Sequence, residues 1–487
     1  MKRGLHLLCI LVSCSSLWLS RFWNCRRFGL YEDDVARVGK TFDWNAEQIW
    51  LYIDYNLSLT GQGRPLHENF IGGIAWLVGQ VGGLTELYVV GFLIICLNLV
   101  LFSLLLKRLH PQPLFVGLGT LLFSLYPTDT TQALLTHNLG LQPSLTFLLV
   151  GLHAFLSGWR LVAYPLAIVG CMITYEPVFP IFLAAPILIL KAADRHWFRH
   201  LALSLAMAGA IFAKRLQLES SRMHEVEGSP LLASLHHLLV GPIVNVRTLL
   251  TRPITFLLQA SAEELLGVVV LTLLFSGLLR TLVRQSQGSF SKNPGLWKFA
   301  VASFYLAYPI MLAIAPTQID GRGSRVHFAA IVGAVLLQTL ALSHLLGLAT
   351  SALKVNISCL LTGLYLSLLL GFGWSVQRDY VEQQELQRDT WTAVFNLASD
   401  LEDSDLIVVE HPLAASQQDP VQVLGFSWNT SLVCTLVVRL ERVKKPPTIL
   451  FIRDLEKDVE VDWGTGEVQV LNPISDHGVV NNARTAG

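Results

Sequence analysis

Apolar residues gather into eleven stretches, near positions 4–20, 84–106, 114–127, 140–157, 161–175, 178–190, 200–218, 262–282, 297–316, 326–348 and 353–373. A helix crossing the hydrocarbon layer of a bilayer needs about 20 residues. The longer stretches therefore predict transmembrane helices, and the shorter ones predict helices that nearly cross. Pro165, Pro177, Pro180 and Pro186 interrupt the middle of this series. Broken helices at membrane depth are tolerated only where the freed backbone is buried in protein or lines a cavity, which predicts a cavity near Glu176. From Val376 onward the pattern becomes charged and polar. Arg378 to Leu401 has helical spacing of Leu386, Val394, Leu397 and Leu401, and the β-rich runs 406–409, 432–440 and 448–452 follow. The expected fold is a polytopic α-helical membrane protein: about 11 transmembrane helices over residues 1–375, a first outer loop at about 21–83, and a small soluble α/β domain over 376–487 whose last dozen residues are disordered.

Composition agrees with this class. Of 487 residues, 52% are hydrophobic and 14% charged, and the mean hydropathy of +0.51 is too high for a soluble domain of this size. Lys and Arg (35) balance Asp and Glu (35), so net charge points to no nucleic acid. The seven cysteines lack CxxC pairs or histidines at ligand spacing, which predicts neither a zinc site nor a disulfide framework. Lys2 and Arg3 before the first apolar run, with no small-residue cleavage site, read as a retained signal anchor.

The distribution of charge gives an orientation, because short cytoplasmic loops retain Lys and Arg. With the amino terminus inside, the inward loops carry Lys107, Arg108, Arg160, Lys191, Arg195, Arg199, Arg280, Arg284, Lys292, Lys298 and Lys354. Most carboxylates, including Glu32, Asp33, Asp34, Glu68, Asp129 and Glu176, then fall outside, with Arg64, Arg322 and Arg325. An odd number of crossings puts the carboxyl-terminal domain outside the cytoplasm as well. Ionisable groups held near hydrocarbon are candidates for function, and the acidic triplet Glu32-Asp33-Asp34 after the first apolar run is the most concentrated.

Four motifs in order carry a family resemblance: Tyr31-Glu32-Asp33-Asp34-Val35-Ala36-Arg37, Gly63-Arg64-Pro65-Leu66, the run Leu122 to Thr130 with Tyr126-Pro127 and Asp129, and Thr174-Tyr175-Glu176-Pro177. Asp320-Gly321-Arg322-Gly323-Ser324-Arg325 is a fifth. Together they resemble the GT-C superfamily of membrane glycosyltransferases, in particular the branch of protein O-mannosyltransferases and mannosyltransferases with tetratricopeptide repeats. The repeats themselves are absent, and the carboxyl-terminal part differs, so the acceptor of those relatives does not carry over. The resemblance implies an integral membrane enzyme of the cell inner or plasma membrane. It would transfer a sugar from a polyprenyl-phosphate donor, with inversion, to an extracytoplasmic glycan, lipid or protein.

In that reading Asp33 or Asp34 takes the acceptor proton, with Asp33 preferred as the base and Asp34 as its partner. Arg322 and Arg325, three residues apart, suit the leaving phosphate through their planar fork, or else they hold the next helix at the membrane interface. Arg64, Glu176, Asp129 and His137 complete the substrate-binding candidates, against structural roles as helix cap, broken-helix anchor and solvated loop. The resemblance fixes no cofactor and leaves a divalent cation open. Some GT-C enzymes use a divalent cation and the mannosyltransferase branch generally does not; Asp33 and Asp34 are where one would bind. A transporter or flippase of envelope lipid or polysaccharide also has broken helices and intramembrane charge, but no inverted repeat is visible. An acyl- or phosphotransferase would want a nucleophile at the outer face, for which His137 is the sole candidate.

Overall fold

The computed structural model describes residues 3–31, 33–58, 63–189, 195–216, 229–286, 294–311, 314–349, 351–398, 406–410, 448–452, 459–462 and 467–470. They fall into two units divided after Val381. The helices are α1 Arg3–Arg21, α2 Asp33–Arg37, α3 Ala46–Ser58, α4 Pro65–Gly79, α5 Leu84–Leu109, α6 Pro113–Ser124, α7 Leu135–Gly140, α8 Gln142–Leu156, α9 Arg160–Tyr164, α10 Pro180–Leu183, α11 Arg195–Leu216, α12 Pro230–Gln259, α13 Ala262–Gln285, α14 Pro294–Leu306, α15 Ile331–Gly347 and α16 Ala352–Ala398. Among the described residues five helical segments are long and apolar enough to cross a membrane: Gly4–Arg27, Leu84–Leu109, Leu135–Leu156, Ala262–Gln285 and Ala352–Glu385. A sixth forms if the 3-10 turn Gly321–His327 and α15, bent by 67°, count as one span. The chain is a mainly helical membrane protein. Of the other apolar stretches, 200–218 lies mostly in the 22-residue α11, and the rest form shorter or broken elements.

Contacts within the first unit sort helix ends into two groups. At one end, Arg21 closes α1 by donating to the carbonyls of Tyr126 and, at 3.2 Å, Asp129. Tyr88 near the start of α5 donates to the carbonyls of Gly29 and Ala133. Arg378 of α16 pairs with Glu264 at the start of α13. At the other end, Arg108 of α5 bonds Ser157 just after α8, and Ser286 just after α13 accepts at its hydroxyl from the backbone N–H of Leu114. The helices thus run between two layers, and the acidic motif lies in the first.

The prolines between 161 and 190 act as expected. Pro165 opens a π-helical turn, Pro177 a 3-10 turn, Pro180 the short α10 and Pro186 another 3-10 turn. Ile168, Met172, Val178, Ile181 and Phe182 are buried among them, so the interrupted backbone is packed in protein.

One long helix falls outside the eleven apolar stretches. α12 contains Pro242 and Pro253 with Arg247 and Arg252, which dilute its hydropathy. Leu235, Leu239, Ile243, Val246, Leu250 and Ile254 are nevertheless exposed at spacings of three and four, while His237, Asn245 and Thr248 are buried. Polar-in, apolar-out patterning reverses that of a helix in water and fits one that faces lipid. Pro253 has no N–H for the Leu249 carbonyl four residues earlier, and the Tyr365 hydroxyl donates to that carbonyl at 3.1 Å.

In the second unit, strand β1 (Leu406–Glu410) pairs in parallel with β2 (Thr448–Ile452), and β3 (Val459–Asp462) pairs antiparallel with β4 (Glu467–Val470). The helix expected from Arg378 is the continuation of α16. The expected strand 432–440 and the tail lie outside the described residues.

Candidate functional site

The geometry begins with α7. Both carboxylate oxygens of Asp34 accept from its first turn: Oδ2 from the Leu135 backbone N–H at 2.9 Å and Oδ1 from that of Thr136 at 2.7 Å. The first N–H groups of a helix have no partner inside it, and a carboxylate there also meets the positive end of the peptide dipoles. Asp34 is fully buried; burial pushes its carboxyl up to about 7, against the pull of the Thr136 and Leu135 N–H groups. Tyr31 anchors the approach to α2 by donating to the Tyr380 carbonyl at 2.8 Å.

These attachments place Asp33 in a cluster of ion pairs. Its Oδ2 lies 3.0 Å from Arg322 and 4.0 Å from Arg37, one helical turn on. Arg37 reaches Glu68 at 2.5 Å, and Tyr52 donates to the other oxygen of Glu68 at 3.4 Å. Arg37 and Arg322 are 21% and 24% exposed, so they form the rim, whereas Asp33, His67 and His137 are buried beneath. Arg325 Nη1 lies 3.4 Å from His137 Nε2. Among the described residues, Asp33 Oδ1, His67 Nδ1 and His137 Nδ1 are buried without a hydrogen-bond partner. Burial raises the Glu68 carboxyl, opposed by Arg37. Burial, then Arg37 and Arg64, hold the His67 imidazole well below its ordinary value.

Arg64 and Glu176 form the neighbouring wall. The guanidinium grips the carboxylate with two bonds, one from Nε at 2.8 Å, and lies 5.1 Å from the centre of the Tyr175 ring. Burial lowers the basicity of Arg64, yet Glu176 more than restores it. With the Leu66 N–H bonded to the Ile173 carbonyl at 3.1 Å, the pair ties the start of α4 to the broken segment.

The arginine-bearing turn is fastened on its opposite side. Arg252 of α12 donates to the Ile319 carbonyl at 2.9 Å and pairs with Asp320. Ser324 accepts from the Thr130 N–H at 3.0 Å, and His327 engages the Tyr308 hydroxyl at 3.0 Å and the Gln318 carbonyl at 3.1 Å. Gly321 adopts φ 54°, the left-handed conformation that starts the turn. Arg322 and Arg325 are thus presented toward Asp33 and His137 by a segment fixed from behind.

Of the residues singled out in the sequence, Asp33, Arg322, Arg325, His137, Arg64 and Glu176 share this cluster. Asp34 adjoins it as the pin on α7. Asp129 does not share it: its Oδ1 accepts from the Thr131 N–H and hydroxyl at 3.0 and 2.6 Å, which shapes the turn after Pro127. Arg37, Glu68, Tyr52 and His67 carry no role in the sequence reading. Spacing signals two of them, since Arg37 is four residues after Asp33 and Glu68 four after Arg64; nothing local signals His67. The acidic pair does not fit a shared divalent ion, because both Asp34 oxygens hold backbone N–H groups and Asp33 Oδ2 faces Arg322. Among the described residues no three His, Cys, Asp or Glu side chains are arranged to bind a metal. Compared with known protein families, curated proteins and solved structures, the chain finds no match.

Proposed function

We propose that the protein is an integral membrane glycosyltransferase that moves a sugar from a polyprenyl-phosphate donor to an extracytoplasmic glycan, lipid or protein. The observation that carries this reading is Asp33: a buried carboxylate with one oxygen held by Arg322 and the other, Oδ1, lacking a partner among the described residues. Oδ1 takes the acceptor hydroxyl proton as the acceptor oxygen attacks the anomeric carbon. The bond from that carbon to the phosphate oxygen breaks, its electron pair leaves on the phosphate, and the configuration inverts. Arg322 and Arg325 stabilise the charge that develops on the phosphate. The proton then passes from Asp33 to solvent. In this reading the site layer faces outward, the second unit is a soluble extracytoplasmic α/β domain, and the remaining apolar segments bring the crossings towards eleven.

Mass spectrometry of lipids that copurify with the protein tests the donor, and purified undecaprenyl-phosphate-linked mannose and glucose test transfer. A polyprenyl phosphate in the bound fraction and sugar transfer that needs Asp33 are expected. Absence of both overturns the reading.

A further inference from the structure

We infer that His67 and His137 form a subsite for hydroxyl groups of the donor sugar; this rests on the transferase reading above. The starting observation is hydrogen-bond direction. A guanidinium only donates, so at 3.4 Å from Arg325 Nη1 the His137 Nε2 must be the accepting nitrogen. The proton of the neutral ring is then on Nδ1, which makes a buried N–H donor with no acceptor among the described residues. Buried donors of this kind are satisfied by a ligand or by ordered water.

His67 supplies a second imidazole against the same short helix, its ring edge meeting the Gly140 backbone. It lies on α4, and its ring lies against Gly140 at the end of α7, so closely that a Cβ on Gly140 would come within 2.4 Å of Cε1 and 2.5 Å of Nδ1. α7 therefore organises three things at once. Its first turn holds Asp34 and with it the neighbouring Asp33, its third residue is His137, and its last residue gives His67 room. His67 and His137 interact electrostatically with each other, and both do so with Arg37 and Arg325.

The chemistry of the pair selects its ligand. Two neutral imidazoles among arginines add hydrogen-bonding capacity without adding charge, which suits hydroxyl groups better than phosphate. His137 also shares a contact with Arg325, the residue assigned to the leaving phosphate, and the group bonded directly to that phosphate is the sugar. A lipid phosphate without its sugar would leave the His137 Nδ1–H unused.

The test uses the full-length protein in detergent and measures affinities for undecaprenyl phosphate, undecaprenyl-phosphate mannose and undecaprenyl-phosphate glucose by native mass spectrometry. The parent should bind one sugar-bearing lipid about tenfold more tightly than the bare lipid, as expected for one or two buried hydrogen bonds. His137→Gln, which keeps an amide near Nε2 and leaves the Nδ1 position empty, and His67→Phe should each reduce that preference to about threefold or less. Neither should change affinity for the bare lipid. His137→Asn, whose amide falls near Nδ1, should keep more of the preference than His137→Gln. Equal parental affinity for all three lipids, or an undiminished preference in His137→Gln and His67→Phe with parental melting temperatures, overturns the subsite and leaves these nitrogens to water. Failure of the parent to bind any of the three lipids instead overturns the transferase reading beneath it.

Discussion

Asp33 and Asp34 are neighbours with opposite tasks. Asp34 spends both oxygens on the first turn of α7, whereas Asp33 keeps Oδ1 unpaired beside Arg322. Asp33→Asn keeps the shape and removes the basic oxygen; transfer should fall by about two to four orders of magnitude, with the melting temperature little changed. Asp34→Asn removes one charge-assisted bond to α7, which is worth about 1.5 to 3 kcal/mol, so its main effect should be a lower melting temperature. Transfer per folded molecule, measured beside the melting curve, separates the two; a stronger catalytic loss in Asp34→Asn would exchange their roles. His67 sets a pH dependence at this same scale. Its folded-state value lies well below the ordinary 6.5, so below about pH 6.5 the unfolded chain binds more protons than the folded one. The stability it contributes is complete above that pH and lost as pH falls further, with a slope of at most about 1.4 kcal/mol per pH unit. Asp34, raised to about 7 from 3.8, acts with the opposite sign between those values. The His67 contribution is therefore read as a difference: melting of His67→Gln should lose less than the parent between pH 7 and pH 5, and parallel curves would refute it.

At the scale of elements, α7 is a six-residue helix that the apolar pattern does not distinguish, since the stretch 140–157 begins only at its last residue. Its importance lies in what attaches to it, and attachments between Asp34 and Leu135 or between His67 and Gly140 join residues more than 70 positions apart. Local pattern made the long spans legible, along with the proline-broken segment and the order of acidic and basic motifs. It did not show that Arg64 and Glu176, 112 positions apart, grip each other, nor that Asp129 turns back on Thr131. It also missed α12, because two prolines and two arginines lower hydropathy in a helix whose polar groups face inward. Two predictions belong here. Gly140→Ala should displace His67 and lower the melting temperature, since the added methyl would meet the ring at 2.4 Å; an unchanged melting curve and sugar preference would show that His67 has room to move. Glu176→Gln should cost about 1 to 3 kcal/mol, because it leaves the half-buried Arg64 without its charge partner. Arg64→Met with Glu176→Leu should recover much of that loss, and a double variant as unstable as the single one would place the cost elsewhere.

For the whole molecule, the two layers of helix ends convert a charge argument into a geometric one. The layer holding Arg108, Ser157 and Ser286 lies beside the loops counted as inward from their Lys and Arg, and the layer holding Asp33, Glu68 and Arg322 beside those counted as outward. α16 begins near Lys354 on the side of the Arg108 layer and reaches the site layer by Tyr380, whose hydroxyl donates to the Thr130 carbonyl at 3.0 Å. A chain with its amino terminus inside would then carry the site outside, with α16 reaching the site's layer by Tyr380. α12 does not alter this, because the ends of α1, α5, α13 and α16 are matched by direct contacts and not by counting apolar runs. The expected result is that alkaline phosphatase fused after Thr485 is active and a fluorescent protein that matures only in the cytoplasm is dark at the same position. A second pair of fusions after Gly158, in the opposite layer, should give the reverse. If both positions report the cytoplasm, the second unit returns inward and only the site's side stays open to test. If the Gly158 fusion reports the outside and the Thr485 fusion the inside, the molecule is inverted, Asp33 faces the cytoplasm, and an acceptor outside the cell is no longer compatible with the site.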